Sequence, residues 1–236
     1  DTQIAGGSPD QTYGNIAELN PDGSTGGGEN QVLIRFENIF GTEQNQIPPG
    51  QSIFFATLTL DIFDGGNDLS LHRMLVPWEE NISWNDISDP FDPLGVIADD
   101  VMAAIDPDIV FPAPAVTTVV ELPPSTLQAW LDGTAENYGW VMLPTGNGGV
   151  DFPSSEIAFS DRRPKLTVVW GTPGLPFLQT STPSAQGISF SVKDGDGPGA
   201  TQVNAGLISL TFDGAAVTTD ISKDGDFTTI TYIAPA

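Results

Sequence analysis

The feature that most constrains the fold is a period-two alternation in the run "FATLTLDI", residues 55–62. Successive side chains of an extended chain point to opposite faces, so such a run presents two different surfaces. One face holds Ala56, Leu58, Leu60 and Ile62, and the other holds Phe55, Thr57, Thr59 and Asp61. The alternation predicts a β-strand with one buried face and one partly solvated face.

Short runs of the same kind recur along the chain, separated by turn residues. Glycine (26 residues) and proline (20 residues) fall between runs rich in valine, isoleucine, threonine and phenylalanine. This punctuation is typical of all-β proteins, so we predict the all-β class. The predicted strands cover residues 31–39, 52–63, 69–76, 115–122, 138–143 and 165–171.

One short helix is predicted in "PPSTLQAWLDG". Ser125 is expected to cap its N-terminus, because Gln128 follows three residues later in the pattern of a capping box. Gly133 is expected to end the helix. One face of the helix would carry Leu127, Trp130 and Leu131. We expect this helix to cover one end of a β-sandwich.

Residues 85–115 connect two predicted strands without a clear strand pattern of their own. At about 30 residues, this connection far exceeds the usual 4–6. We expect a short helical turn over residues 99–105. Long loops often hold function in sandwich proteins, although an ordered lid without a ligand is an alternative.

A domain boundary is predicted after Gly171, in the run "WGTPGLPF". Downstream, Asp213-Gly214 and Asp224-Gly225 predict β-hairpins between short strands. Residues 172–236 therefore look like the first part of a smaller immunoglobulin-like β domain. Such a domain usually needs roughly 100 residues, so we expect this one to be incomplete and the native chain to continue.

The charge balance excludes one class of partner. The chain has 31 acidic and 7 basic residues, for a net charge of −24. An acidic surface repels phosphate backbones, so we predict no binding to nucleic acid. No apolar run approaches the roughly 18 residues of a membrane span, so we predict no membrane insertion. The acidity suits a salty or calcium-containing exterior, or serves solubility alone.

The inventory of catalytic side chains is small. The chain has no cysteine and one histidine, His72, which excludes disulfides, thiol chemistry and multi-histidine metal sites within it. Glu79 and Glu80 follow in "LHRMLVPWEENISWND", but adjacent positions of a strand point to opposite sides. Glycosidases need two carboxylates that face each other across a sugar, about 5–10 Å apart. We therefore predict that the protein is not an enzyme.

Five stretches together show a resemblance to a known family. They are "DTQI…PDQTYG", "VLIRFENI" with "IPPGQSIFFATLTL", "LHRMLVPWEENISWND", "LQAWLDGTAENYGWVML" and "FPSSEIAFSDRRPKLTVVW". Residues 1–171 resemble the DNRLRE domain, a β-sandwich family grouped with carbohydrate-binding modules and found in secreted bacterial polysaccharide-degrading proteins. The resemblance implies a jelly-roll-like antiparallel β-sandwich and favours core positions for Trp78 and Trp84. Residues beyond about 180 resemble immunoglobulin-like repeats of large bacterial surface proteins.

Two sets of candidate ligand residues follow. Aromatic rings can stack on the C–H faces of sugars, and amides can bind their hydroxyls, although core packing also explains the rings. This sugar-binding set is Trp84, Asn85, Tyr138, Trp140 and Asn147. Acidic residues beside glycines or in the opening loop could bind structural calcium, although turn chemistry also explains them. This calcium set is Asp1, Asp10, Asp194, Asp196, Asp224 and Asp226.

The leading hypothesis is a non-catalytic carbohydrate-binding module in a secreted or cell-surface bacterial multidomain protein. Its partners would be a polysaccharide and further domains of the same chain, with self-association as a further option. The alternative is a structural or adhesive surface or filament protein without specific glycan binding. A small hydrolase or polysaccharide lyase is the third hypothesis.

Overall fold

The fold is described here from a computed structural model. It describes residues 1–23, 28–87, 95–97, 103–184, 186–195 and 199–234, and for 103–108 it describes the backbone alone. The chain is mostly β-structure in antiparallel sheets, with one helix longer than a single turn, so the prediction of an all-β sandwich is confirmed. Within these residues, no helix is long and apolar enough to cross a membrane.

The chain divides into two compact units, and the first comprises Asp1–Gln46 and Ala56–Thr167. The second comprises Ile47–Phe55 and Val168–Ala236. The division follows the contacts within the chain. The strand over residues 52–61 and the strand over residues 165–171 each have residues in both units. The predicted domain boundary after Gly171 stays a prediction.

Among the described residues up to Gly171 there are ten strands and two helices. The strands are β1 (Thr2–Ala5), β2 (Glu18–Leu19), β3 (Asn30–Ile34), β4 (Ser52–Asp61), β5 (Leu69–Met74), β6 (Ala103–Phe111), β7 (Thr117–Leu122), β8 (Trp140–Pro144), β9 (Phe152–Pro153) and β10 (Lys165–Gly171). The helices are α1 (Trp84–Ile87) and α2 (Pro124–Leu131), and a single 3₁₀ turn covers Ser160–Arg162.

These strands form a five-stranded sheet, a three-stranded sheet and a short pair. The five-stranded order is β1-β3-β8-β5-β6, the three-stranded order is β10-β4-β7, and β2 pairs with β9. In the large sheet, Met142 of β8 lies opposite Val32 of β3 and Leu71 of β5. All three side chains are buried, so one register places apolar residues side by side across three strands.

The alternation in β4 is confirmed. Ala56, Leu58 and Leu60 are fully buried, and Ile62 just after the strand is buried as well. On the other face, Phe55, Thr59 and Asp61 are partly exposed. Thr57 is an exception, since its side chain is also buried.

Helix α2 forms where it is predicted, but its N-cap differs. The N-cap residue is Pro123, which has an extended backbone and makes no side-chain capping bond. Ser125 lies inside the first turn, so its prediction as N-cap is wrong. Pro124 suits the first helical position, because proline's fixed φ favours it and its missing N–H is not needed there. Gly133, with φ of +66°, follows the end of the helix as predicted.

The capping box of this protein lies at α1. Ser83 Oγ and the Ser83 backbone nitrogen donate to Asp86 Oδ2 at 2.7 and 2.9 Å, and the Asp86 nitrogen donates to Ser83 Oγ at 3.3 Å. These side-chain and backbone hydrogen bonds from Ser83 lower the pKa of Asp86 below its ordinary value. A capping box was predicted at Ser125, whereas the one at Ser83 was not predicted.

The prediction of a long connection without strands over residues 85–115 is wrong, because these residues contain secondary structure. Helix α1 occupies its beginning, and β6 pairs antiparallel with β5 along its second half. Residues 103–105 of the predicted helical turn are part of β6, and residues 99–102 lie outside the described residues. Pairing with an available strand edge overrides the weak local helix preference of residues 103–105.

The second unit contains a four-stranded sheet and a hairpin. Its further strands are β11 (Phe177–Ser184), β12 (Gly187–Lys193), β13 (Leu210–Phe212), β14 (Ala215–Val217), β15 (Asp220–Asp224) and β16 (Phe227–Ile233), with a 3₁₀ turn at Ala205–Leu207. The sheet order is β11-β12-β16-β15, and β13 pairs with β14. Within this unit, the rings of Phe54 and Phe177 stack with centroids 3.7 Å apart.

Both predicted hairpins of the second unit form. Asp213 (φ 52°) and Gly214 (φ 80°) join β13 to β14 with the two positive φ angles of a type I′ turn. In the β15–β16 hairpin, Asp224 is instead the last paired residue. Gly225 (φ 57°) and Asp226 form the turn, because a glycine at the first central position suits the type II′ geometry.

Candidate binding cleft

The first unit has an open cleft of about 740 Å³. Several parts of the chain that are distant in sequence line it. They are one loop with Thr12, Gly14 and Asn15, residues 34–37 from the end of β3 onward, residues 78–81 after β5, and Ser155 with Pro164. Asp1 lies at the same place. The fold therefore brings together guanidinium, carboxylate, amide and hydroxyl groups that no local motif contains.

Arg35 and Trp78 form the base of this cleft. The guanidinium carbon of Arg35 lies 5.0 Å from the centroid of the Trp78 ring, within cation–π range. Arg35 Nη1 donates to the Trp78 carbonyl oxygen at 3.0 Å, and Nη2 donates to Glu37 Oε1 at 2.6 Å. The Trp78 ring is buried, and its Nε1 donates to the carbonyl of Tyr138 at 2.7 Å. The base is thus held by several independent contacts.

A second set of contacts joins Asp1, Ser155 and Glu80 in the cleft. The Asp1 carboxylate accepts hydrogen bonds from the Ser155 backbone nitrogen at 3.1 Å and from Ser155 Oγ at 3.2 Å. The Asp1 nitrogen lies 3.0 Å from Glu80 Oε1. A Cβ atom on Gly14 would overlap with the Glu80 backbone carbonyl, so the 12–15 loop approaches this segment closely.

Glu79 and Glu80 both line the cleft, which the sequence analysis did not predict. It placed them at adjacent strand positions on opposite sides, but β5 ends at Met74 and they lie in the following loop. Pro77 was the available signal, because proline lacks the N–H that a continuing strand would donate. Outside a strand, adjacent side chains no longer alternate between faces.

The sugar-binding residues predicted from sequence do not form a common site. Trp84 and Trp140 are only 5% and 2% exposed, so neither ring presents a face on which a sugar could stack. Trp84 packs in a core cluster with Ile4 and Leu33, and Trp140 contacts the Trp130 ring edge-on at 4.8 Å.

The other three residues of this set are more accessible than the two tryptophans. Tyr138 is half-buried against the same core cluster as Trp84. Asn85 is exposed and donates from Nδ2 to Asp10 Oδ1 at 2.8 Å, and Asn147 lies exposed in the loop after β8. None of the five predicted residues is among the described residues that line the cleft.

The predicted calcium ligands lie at more than one place in the chain, although the Asp194 nitrogen donates to the Asp226 carbonyl at 2.8 Å. Asp1 bonds to Ser155, Asp10 bonds to Asn85, and Asp224 and Asp226 are exposed at the β15–β16 turn. Asp196 lies outside the described residues. Within the part of the chain that the structure describes, no three His, Cys, Asp or Glu side chains are grouped to hold a metal ion. Structural calcium stays a prediction.

Asp194 has a different environment from the one predicted for a calcium ligand. Its side chain is buried, and it accepts from Lys223 Nζ at 2.9 and 2.8 Å and from the Val203 nitrogen at 2.7 Å. The Lys223 hydrogen bond, then that of Val203, lowers the pKa of Asp194 below its ordinary value, and burial opposes them. The cation that Asp194 binds here is the ammonium group of Lys223. This ion pair connects β15 to the residue after β12.

Comparison with known proteins adds no family to this description. No family model matches the chain, and no curated protein matches it.

Proposed function

We propose that this chain is a non-catalytic carbohydrate-binding module of a secreted or cell-surface bacterial protein, which it targets to polysaccharide. The sequence basis of the proposal is the resemblance of residues 1–171 to the DNRLRE domain. The observation that carries it is the open polar cleft of the first unit. Sugars need hydrogen-bond donors and acceptors for their hydroxyls, and the cleft supplies amides from Asn15 and Asn81 besides its charged groups.

The cleft also has an aromatic side chain at its surface. Phe36 lines it and is partly exposed, so its ring can contact the C–H face of a sugar. Drug-like apolar ligands favour enclosed pockets with mostly apolar walls, whereas this cleft is open and largely polar. The contacts of Arg35 and Trp78 order the base before a ligand arrives, which reduces the entropy lost on binding.

The proposal assigns no catalytic role to the cleft, because the histidine lies outside it and two of its carboxylates, Glu37 and Glu80, already have partners. The single histidine, His72, is buried in β5, where its Nε2 lies 3.0 Å from Ser70 Oγ. It is not among the described residues that line the cleft. Glu37 and Glu80 each have a nitrogen partner, Arg35 and the Asp1 nitrogen.

A glycan array followed by titration calorimetry tests the proposal. Phe36→Ala and Asn81→Ala should each weaken binding of any glycan that the array identifies, because they remove a stacking face and an amide. Phe159→Ala and Asn147→Ala are matched controls, since both residues are exposed and lie outside the cleft. Asn147 also belongs to the set predicted from sequence, so this pair compares the two sites directly.

Two results would contradict the proposal. One is the absence of binding across neutral, anionic and cationic glycans, with and without calcium. The other is release of reducing ends or unsaturated products from a polysaccharide, lost in Glu79→Gln or Glu80→Gln, which would make the protein an enzyme.

The alternative, a structural or adhesive protein, has its own support in the second unit. Leu207 and Ile233 are 81% and 63% exposed, and no residue of the central strand β12 is fully buried. Contiguous patches of exposed apolar side chains are typical of surfaces that contact other proteins. Light scattering over a range of protein concentrations tests this: self-assembly that Leu207→Ser and Ile233→Ser abolish, without glycan binding, would favour the alternative.

A further inference from the structure

The cleft has more negatively charged groups than positively charged groups. Four carboxylates, those of Asp1, Glu37, Glu79 and Glu80, line it, and Arg35 is the one cationic side chain among the described lining residues. Even with an α-amino group on Asp1, negative groups exceed positive groups by two. The whole chain has the same sign of charge, with a net charge of −24.

The guanidinium group of Arg35 already has partners within the protein. Its guanidinium donates to Glu37 at 2.6 Å and to the Trp78 carbonyl at 3.0 Å, and it lies over the Trp78 ring. A uronate or sulfate group would therefore compete with Glu37 for Arg35 and meet the remaining carboxylates nearby. Like charges brought together in this way oppose binding.

Glu79 differs from the other three carboxylates. Its side chain is exposed, and within the residues that the structure describes it has no hydrogen-bond or ion-pair partner. By contrast, Asp1 bonds to Ser155, Glu37 to Arg35, and Glu80 to the Asp1 nitrogen. The cleft therefore offers an unused acceptor of charge-assisted hydrogen bonds beside the amide of Asn81.

We propose that the cleft selects glycans that contain cationic amino sugars, with Glu79 as the residue that determines this preference. The inference rests on the proposed carbohydrate binding at the same cleft. A protonated sugar amine has three N–H donors for Glu79, while neighbouring hydroxyls bind Asn15 and Asn81 and the ring contacts Phe36. A protein of strongly negative charge also attracts such a polycation at low ionic strength.

Binding of glucosamine oligomers, their N-acetylated counterparts and oligouronates of equal length tests the inference. We expect the glucosamine oligomer to bind at least fivefold more tightly than the N-acetylated oligomer, and the oligouronate to bind most weakly. Added salt and a pH high enough to deprotonate the amines should both reduce the preference. Glu79→Gln should weaken glucosamine binding about two- to fivefold, as for other exposed ion pairs, and Glu79→Lys should weaken it further.

Glu43→Lys separates a specific contact from the overall charge. Glu43 is exposed and lies outside the cleft, so this variant changes the net charge as Glu79→Lys does. An equal loss in both variants would overturn the inference, as would equal competition by spermine, which has amines but no sugar ring. Equal binding of the N-acetylated oligomer would overturn the inference and leave carbohydrate binding intact. Failure of all three oligosaccharides to bind would overturn the inference, while the proposed carbohydrate binding would be overturned only by a glycan array without any binding.

Discussion

Arg35 and Trp78 contact each other in two ways. The guanidinium carbon lies 5.0 Å from the ring centroid, and Nη1 donates to the carbonyl oxygen of the same tryptophan at 3.0 Å. One arginine thereby joins the segment after β3 to the loop after β5. Since these two segments form the base of the cleft, this pair links the stability of the first unit to the shape of its candidate site.

Arg35→Lys should lower the free energy of unfolding by about 1–2 kcal/mol. Lysine keeps the charge but cannot donate to Trp78 and Glu37 in the fork geometry of a guanidinium. Urea-induced unfolding followed by circular dichroism measures the change. Arg163→Lys is the control, because Arg163 is exposed, lies outside the cleft and donates only to the carbonyl of Ile157. A loss no greater than that of the control would show that the Arg35 contacts contribute little.

Trp130→Ala should cost roughly 3–5 kcal/mol, because it removes a buried ring that packs edge-on against Trp140. Trp130→Phe should cost only about 1–2 kcal/mol, since Trp130 Nε1 has no hydrogen-bond partner among the described residues. Trp170, which is 41% exposed, provides the control, and Trp170→Ala should change stability by less than about 1 kcal/mol. Equal losses at the two positions would contradict the core position of Trp130.

Gly14→Ala should destabilise the first unit by about 1–3 kcal/mol and distort the cleft, because the new Cβ would overlap with the backbone of Glu80. Gly206→Ala is the matched control: neither glycine has a positive φ, and the nearest atom to a Cβ at Gly206 is 3.4 Å away. Melting temperatures and glycan titrations of the two variants provide the measurements. A Gly14→Ala protein with unchanged stability and binding would mean that the 12–15 loop moves freely away from Glu80.

The second unit should lose stability in acid through Asp194. Because the folded-state pKa of this carboxyl is lowered, chiefly by Lys223 and then by Val203, its contribution is present above the ordinary value of 3.8. The contribution is lost as the pH falls below 3.8 and through the folded-state pKa. Asp194→Asn should therefore lower the melting temperature at pH 6, and the difference from wild type should narrow toward pH 2.

Asp220→Asn controls for the general effect of removing a negative charge, since Asp220 is exposed on the edge strand β15. It should leave the melting temperature nearly unchanged at both pH values. A difference between wild type and Asp194→Asn that stays constant from pH 6 to pH 2 would show that the Asp194–Lys223 ion pair does not contribute to stability.

A chain that ends at Gly171 should still unfold cooperatively, because the core residues of the first unit all precede this position. It loses the stack of Phe177 on Phe54, so its β4 strand should be less protected from hydrogen exchange over residues 52–55 than over 56–61. Aggregation of the truncated chain, with recovery when residues 172–236 are restored, would show that the two segments fold only together.

The strand pattern was predictable from sequence because it depends on local periodicity. The predicted strand at 165–171 has the same bounds as β10, and Ala56, Leu58, Leu60 and Ile62 are all buried. The hairpin turn at Asp213-Gly214 was equally predictable, since few residues adopt positive φ angles readily. β6 was not, because its pairing with β5 is a long-range interaction that overrides a weak local preference.

The two capping-box patterns show where local information ends. Ser83-Asp86 and Ser125-Gln128 have similar spacing, yet only the first forms the reciprocal bonds. Pro123 and Pro124 place the second helix start two residues earlier, so Ser125 is inside the first turn. Both sequences contain the side chains of a capping box. The residue at which each helix begins determined which one forms the hydrogen bonds.

The sequence by itself determined the all-β class, the positions of six strands up to Gly171, the helix around Trp130 and the acidic surface, because periodicity, turn residues and charge act over short distances. Only the tertiary structure decided which residues share a cleft. Residues 12–15, 34–37, 78–81 and Ser155 meet because strand order and register bring distant loops together. Each of those loops is unremarkable alone, since a binding surface is a property of their arrangement in space.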